Sequence, residues 1–404
     1  RMLIIIMAIS IVSPVGGLFC TLVNYNKYRN AVSSGIGVGF SFACAWYGYI
    51  ADSGNDIFRH IMSMHDYANK NIFEIWGLYR FNRNVFTFDF WLLIISKLNN
   101  DRMLQASGAL VGYSILAYIV FDYARLNNED FKSWFTKFLL SLALVPGLDI
   151  AIGIRCANAF ILMGLAVYEF CYKKSHLSGI VCVILAFFLH QASLLVFIAW
   201  ILSTVFEKHK VIVSILTIVL LFTFTNYGKY SAVLSDSSSI LGQIFSDLFK
   251  SAGDYQSLVV TSFHSLFTRY LEMFFAFSLI SRTVIVKRKN PDSVSAHLKE
   301  EKVLMIAELL FIMSMCTTFL MGSNGNRYFI ATCIVALIPF MASLNTAIFL
   351  NKRFLLIDLL ALFSACGSVA LYLYNMNWGS GSLISWILCF VTGIVSSFGL
   401  PIHY

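Results

Sequence analysis

Apolar runs recur along most of this chain, separated by short polar stretches. They lie near residues 2–23, 31–51, 104–123, 134–148, 153–171, 177–190, 191–206, 211–227, 264–286, 303–321, 328–348, 354–374 and 382–400. A helix crosses the hydrocarbon core of a bilayer in about 20 residues. The pattern therefore predicts an all-α polytopic membrane protein, a single integral membrane domain over residues 1–404 with about 13 crossings. A transmembrane barrel would show short segments of alternating polarity instead. Residues 86–98 are apolar from Phe90 to Ile95 but closed off by Asp89 and Lys97, so a re-entrant or surface-lying helix is expected there.

The sixth and seventh runs carry the first chemical signal. Lys173-Lys174 precede the pair and Lys208-His209-Lys210 follow it, and basic flanks tend to face the cytoplasm. Roughly 30 residues between them are too many for one short crossing and too few for two full ones. This predicts a hairpin of two short helices with His190-Gln191 near its apex. Broken backbone at membrane depth is tolerated where protein or a wet cavity covers it. An ionisable residue at that depth is a functional-site hypothesis by default. Arg155 opens the preceding antiparallel segment, so it is expected at the same outer level as His190.

Charge orients the chain. With the N-terminus outside and the C-terminus inside, inner loops and helix ends hold 17 of the 29 basic residues, twelve of them lysine. The outer side holds eleven, seven of them arginine. Arginine is the side chain suited to forked recognition of phosphate and carboxylate. A pyrophosphate or acidic-sugar ligand is expected on that outer face. Two outer loops are long, near residues 52–103 and 228–263. Each holds an amphipathic stretch, around Ile57, Phe58, Ile61 and Met62 and around Ile240, Leu241, Ile244, Phe245 and Leu248. Two surface helices beside a cavity would make a lipid-facing entrance; loops tucked over the bundle are the plainer reading.

Composition agrees. The chain is 58% hydrophobic and 12% charged, where a soluble domain carries roughly 25% charged residues. The net charge of +8 is scattered over short loops and does not suggest nucleic acid. The nine cysteines form no CxxC or zinc-type spacing, so they are expected to pack as small hydrophobes. The chain opens on Arg1 without a methionine, and no cleavable signal peptide is expected. No P-loop, GxSxG, HExxH or outer DxD carboxylate pair occurs, so chemistry without metal or cofactor is expected.

The candidate residues are few. His190 is read as a general base, a phosphate ligand or a quietly bonded helix histidine. Arg155, in Gly153-Ile154-Arg155-Cys156, is read as a ligand-binding or snorkelling cation. Arg327, beside Asn324 and Tyr328 in Gly322-Ser323-Asn324-Gly325-Asn326-Arg327-Tyr328, lies in a tight outer turn. Asp56 and Arg59 are spaced for an ion pair on one helical face. Arg80, Arg83, His264, Arg269 and Tyr270 complete the set.

Four of these segments, in order, resemble the EpsG-type branch of the Wzy polysaccharide polymerases: Asp56-Ile57-Phe58-Arg59, Ile154-Arg155, the Ala-x-x-x-His-x-x-Ser stretch from Ala186 to Ser193, and Arg327-Tyr328. Where that family carries a glutamine after the middle arginine, this chain has Cys156 and Asn158. The resemblance implies a GT-C-like membrane glycosyltransferase. It would polymerise undecaprenyl-diphosphate-linked oligosaccharide units on the outer face of a bacterial inner membrane, with a flippase and a chain-length regulator as implied partners. His190, Arg155 and Arg327 would be catalytic and the remaining candidates would bind substrate. Three rivals share parts of this logic: a membrane O-acyltransferase, a lipid-linked glycan ligase, and a lipid-linked oligosaccharide flippase.

Overall fold

A computed structural model of the protein describes residues 2–49, 56–79, 86–145, 147–151, 153–205, 211–212, 215, 218–219, 263–298, 301–321, 327–377 and 382–394. Among these residues every regular element is helical. The helices are α1 (Met2–Val12), α2 (Pro14–Tyr28), α3 (Ala31–Trp46), α4 (Asp56–Tyr67), α5 (Ile72–Tyr79), α6 (Phe86–Ser96), α7 (Arg102–Leu126), α8 (Phe131–Leu142), α9 (Gly147–Ala151), α10 (Ile154–Val167), α11 (His176–Leu189), α12 (Leu194–Val205), α13 (Phe263–Lys289), α14 (Pro291–Leu298), α15 (Lys302–Met321), α16 (Arg327–Thr346), α17 (Leu355–Asn377) and α18 (Ser382–Thr392). They fall into two compact units, Arg1–Leu194 with Ser368–Tyr404, and Leu195–Gly367.

Three stretches are long and apolar enough to cross a membrane: Arg102–Leu126, Ile154–Lys173 and Tyr328–Thr346. Shorter apolar helices occur as well, among them Met2–Val12, Ala31–Trp46 and His176–Leu189. The outward faces are apolar as well. On α11, Leu177, Ile180, Val181, Ile184, Leu185 and Phe188 form one exposed stripe at helical spacing. Water would not tolerate such faces; hydrocarbon is their natural solvent.

Two expected crossings are broken. The run 2–23 becomes α1 and α2, because Pro14 opens a new helix. Ser13 leaves helical geometry at φ −152°, and its Oγ accepts from the Gly16 N–H at 3.3 Å. The run 134–148 also divides. Asp130 caps the Ser133 N–H at 2.9 Å and starts α8 early. That helix stops at Leu142, and α9 follows from Gly147 as one short turn. The helix expected over 86–98 is α6, whose eleven residues span about 16 Å and do not cross a bilayer. A break falls at His190, as expected, between α11 and α12. The run 211–227 is described only at a few positions, and the amphipathic stretch over 240–248 lies outside the described residues.

The first unit is built on α7. Helix α3 runs antiparallel to it, with Gly35 and Gly39 against Ser114 and Leu110. Helix α10 runs parallel to α7. Gly108 lies beside Ile154 and Gly112 beside Ile150 and Asn158, while Tyr118 bonds Glu169 at 3.2 Å and Asn127 bonds Tyr172 at 2.7 Å. A Cβ on Gly112 would lie 2.6 Å from Ile150 Cγ2 and 2.9 Å from Asn158 Oδ1. Gly112→Ala is therefore expected to cost about 1–3 kcal/mol, read as a lower melting temperature in detergent. An unchanged melt would show that α9 and α10 can retreat from α7 freely.

This parallel packing separates two polar ends. One end holds the N-termini of α7 and α10 with Arg102 and Arg155. The other holds Asp122, which accepts from Arg125 at 2.6 Å and Tyr168 at 3.0 Å, together with Lys173 and the buried Lys137–Glu129 ion pair. Arg155 and Lys173 stand eighteen residues apart on one continuous helical path, about 27 Å.

In the second unit α13, α15 and α16 pack together. Arg282 of α13 is fully buried. It donates to Asp358 Oδ1 of α17 at 2.6 Å, to Ser343 Oγ of α16 at 2.7 Å and to the Ala347 carbonyl at 2.7 Å. The other Asp358 oxygen accepts the Leu350 N–H at 2.7 Å. The charge is thus tied into three elements at once.

Candidate functional site at the Arg155 end of the first unit

Helix α4 forms because Ile57, His60, Ile61, Met64 and Tyr67 recur at the spacing of one helical face. That face is buried; Met62, expected on it, is half exposed. The C-terminal end of α4 is held from α6: Lys97 Nζ donates to the carbonyls of Ala68 and Lys70 at 2.7 and 2.8 Å. Asn71 and Glu74 then form a reciprocal cap on α5. The expected Asp56–Arg59 pair is present at 2.6 Å. Both side chains are substantially exposed, so the pair adds little stability.

What the pair leads to is more informative. The other Asp56 oxygen faces His60 Nε2 at 3.7 Å, and the His60 ring meets the edge of Phe88 of α6 at 4.8 Å. On the same Phe88 lies the Arg155 guanidinium, 5.3 Å from the ring centroid. Asp89, next to Phe88, is buried near Tyr67 and Arg155. Three elements distant in sequence, α4, α6 and α10, thus bring two carboxylates, an imidazole and two guanidiniums together around one phenyl ring.

These groups shift one another. The His60 ring, then Arg59 and Arg155, hold the Asp56 carboxyl down to about 2, against an opposing effect of burial. Burial lowers His60 below its ordinary value, Asp56 partly offsets that, and Arg155 adds to it. Burial pushes Asp89 up to about 6 despite Tyr67 and Arg155. The folded Asp89 thus holds its proton to higher pH than the ordinary carboxyl at 3.8. It removes stability progressively as pH rises from about 4 through about 6. Asp89→Asn is expected to stabilise the protein above pH 7 by about 1–3 kcal/mol, and to flatten its melting temperature between those values. A variant melting below wild type at every pH would contradict this.

His190 has a different setting. It is extended, with φ −158° and ψ 124°, and its own N–H still bonds the Ala186 carbonyl at 3.0 Å. Its Nδ1 accepts the Ala192 N–H at 3.1 Å and so caps the short 3₁₀ turn Gln191–Ser193. A neutral imidazole that accepts at Nδ1 carries its proton on Nε2. Helix α11 returns antiparallel to α10, with Gly179 against the Phe170 ring. Counting eleven residues from that contact puts His190 level with Ala159, about one turn inside Arg155.

The remaining candidates divide. Arg80, Arg83 and Asn324 lie outside the described residues. Arg327 begins α16 and His264 and Arg269 lie on α13, all in the second unit, with their side chains outside the described set. Tyr328 is half buried at the start of α16, and Tyr270 is exposed on α13. Asn158, in the stretch where glutamine was of interest, is buried and donates to the Ile150 and Ile154 carbonyls at 3.1 and 2.9 Å; it braces α9 against α10.

Sequence reasoning missed His60 and Asp89, although both left a signal. His60 follows Asp56 by four residues on the apolar stripe of α4. Asp89 is an ionisable residue inside an apolar run, the same argument that drew attention to His190. No known protein family, curated protein or solved structure matches the chain.

Proposed function

We propose that this chain is a membrane glycosyltransferase that extends lipid-diphosphate-linked oligosaccharides, a polysaccharide polymerase of the EpsG/Wzy kind. Its thirteen-crossing, GT-C-like organisation and outer-leaflet site in a bacterial inner membrane belong to the same proposal. The observation that carries it is the meeting of Arg155 with the Asp56-x-x-Arg59 segment around Phe88. These are two of the four segments on which the family resemblance rests, nearly a hundred residues apart in sequence. Their distance from the lysine-rich end of the same helices fits an outer site under the positive-inside tendency.

The chemistry follows from the charges. Arg155 and Arg59 offer forked donors to a diphosphate. As the bond between the anomeric carbon and the diphosphate oxygen breaks, negative charge grows on that oxygen. A fixed guanidinium in a partly desolvated site stabilises it. The acceptor hydroxyl then needs only a nearby proton acceptor.

Product analysis tests the reading. Purified protein is supplied with an undecaprenyl-diphosphate-linked repeat unit alone. A ladder of multiples supports polymerisation. A single acylated product after addition of an acyl donor indicates an acyltransferase, transfer only to a separate acceptor a ligase, and movement across vesicles without a new bond a flippase.

A further inference from the structure

Two histidines stand near the proposed site, and they use their ring nitrogens differently. His190 uses Nδ1 to accept the Ala192 N–H, so that nitrogen is committed to its own backbone. His60 turns Nε2 toward the Asp56 carboxylate at 3.7 Å. A carboxylate accepts only, so the facing nitrogen is the one that carries hydrogen, and the lone pair lies on Nδ1. That is the arrangement in which a carboxylate orients an imidazole for proton abstraction. The separation is slightly longer than a hydrogen bond, as is common for catalytic contacts before substrate is bound. Phe88 holds the ring from the side, and Nδ1 has no hydrogen-bond partner among the described residues.

Resting on the glycosyl-transfer reading, we propose that His60, positioned by Asp56, is the base for the acceptor hydroxyl. The balance is as follows. The acceptor O–H proton passes to His60 Nδ1, and the acceptor oxygen bonds the anomeric carbon of the donor sugar. The bond from that carbon to the diphosphate oxygen breaks, and its electron pair leaves with the diphosphate, against Arg155. His60 then returns its proton to water. The charged and titratable groups acting on His60 are Asp56 and Arg59 on its own helix and Arg155 on α10, while Asp89 of α6 acts on Arg155. Asp56 is the positioning residue; it favours the imidazolium that forms, while the two arginines oppose its presence in the resting enzyme.

The experiment separates binding from transfer. Binding of an undecaprenyl-diphosphate-linked repeat unit and its elongation are measured for wild type, His60→Gln, Asp56→Asn and Asp89→Asn, from about pH 5 to about pH 9. His60→Gln is expected to bind the unit as wild type does and to elongate about 10²–10⁴-fold more slowly. Wild-type elongation falls on the acid side as His60 protonates, below the ordinary histidine value of 6.5. Asp56→Asn moves that limb to lower pH by removing the charge that favours imidazolium, a shift a merely structural role would not produce. Asp89→Asn leaves the limb in place.

Normal elongation by His60→Gln, or loss of donor binding in it, overturns the assignment while leaving the polymerase reading intact. So does an acid limb that disappears in Asp89→Asn. If His60→Gln does not fold, the Asp56→Asn profile decides, and an unmoved limb overturns the proposal. A wild-type protein that binds the unit and never elongates it overturns both readings.

Discussion

Arg155→Lys is expected to fold, to reach the membrane and to lose elongation by about 10²–10³-fold, although the positive charge is kept. Three features of the site make this substitution costly. The guanidinium lies over Phe88, 5.3 Å from the ring centroid, a contact a compact ammonium reproduces poorly. It is half buried, so its orientation is set by neighbours rather than by solvent. A diphosphate also presents paired oxygens that a planar fork meets bidentately and a point charge does not. Initial elongation rates at matched protein level decide the matter. A lysine variant within a few-fold of wild type would show that Arg155 only anchors the start of α10. The same measurement in Arg59→Lys separates the two cations. Arg59 is exposed and already paired with Asp56, so its replacement costs much less.

The largest stability effect is expected in the second unit. Asp358→Ala leaves Arg282 buried with its main counter-charge gone, and strips the Leu350 N–H of its acceptor. Breaking a buried pair from one side costs about 3–5 kcal/mol. Thermal unfolding in detergent, followed by loss of monodisperse protein, reads the effect. The double variant Arg282→Met with Asp358→Leu removes both charges and is expected to recover most of the loss, since a well-packed apolar pair replaces a satisfied ionic one at little net cost. A double variant no better than the single one would show that the bonds from Arg282 to Ser343 and to the Ala347 carbonyl, rather than charge balance, hold these helices.

The local elements were largely legible in the sequence. Helix α7 fills a long apolar run, α11 and α12 part at His190, and the Asp56–Arg59 pair follows from i, i+3 spacing. These features depend on residues a few positions apart, so periodicity carries them. The breaks at Ser13-Pro14 and after Leu142 were also written locally, in Pro14 and in the sequence Pro146-Gly147. They were hidden because hydropathy averages over windows longer than the break itself.

What only the tertiary structure decided is which distant residues share an environment. Nothing in the order of residues says that Phe88 lies between His60 and Arg155, since that depends on how α4, α6 and α10 pack. Nor does it say that Asp56 faces His60 rather than water, or that His190 has committed Nδ1 to its own backbone. Hydropathy ranked His190 above His60 because one sits in an apolar run and the other in a polar loop. Burial reverses part of that ranking. The apolar stripe of α4 carries His60 inward, where a carboxylate fixes its tautomer. Sequence alone therefore determined that this is a helical chain with helices apolar enough to cross a membrane, and with arginines and histidines worth testing. The role open to each depends on its partner, and partners are set by packing across segments that local periodicity cannot register.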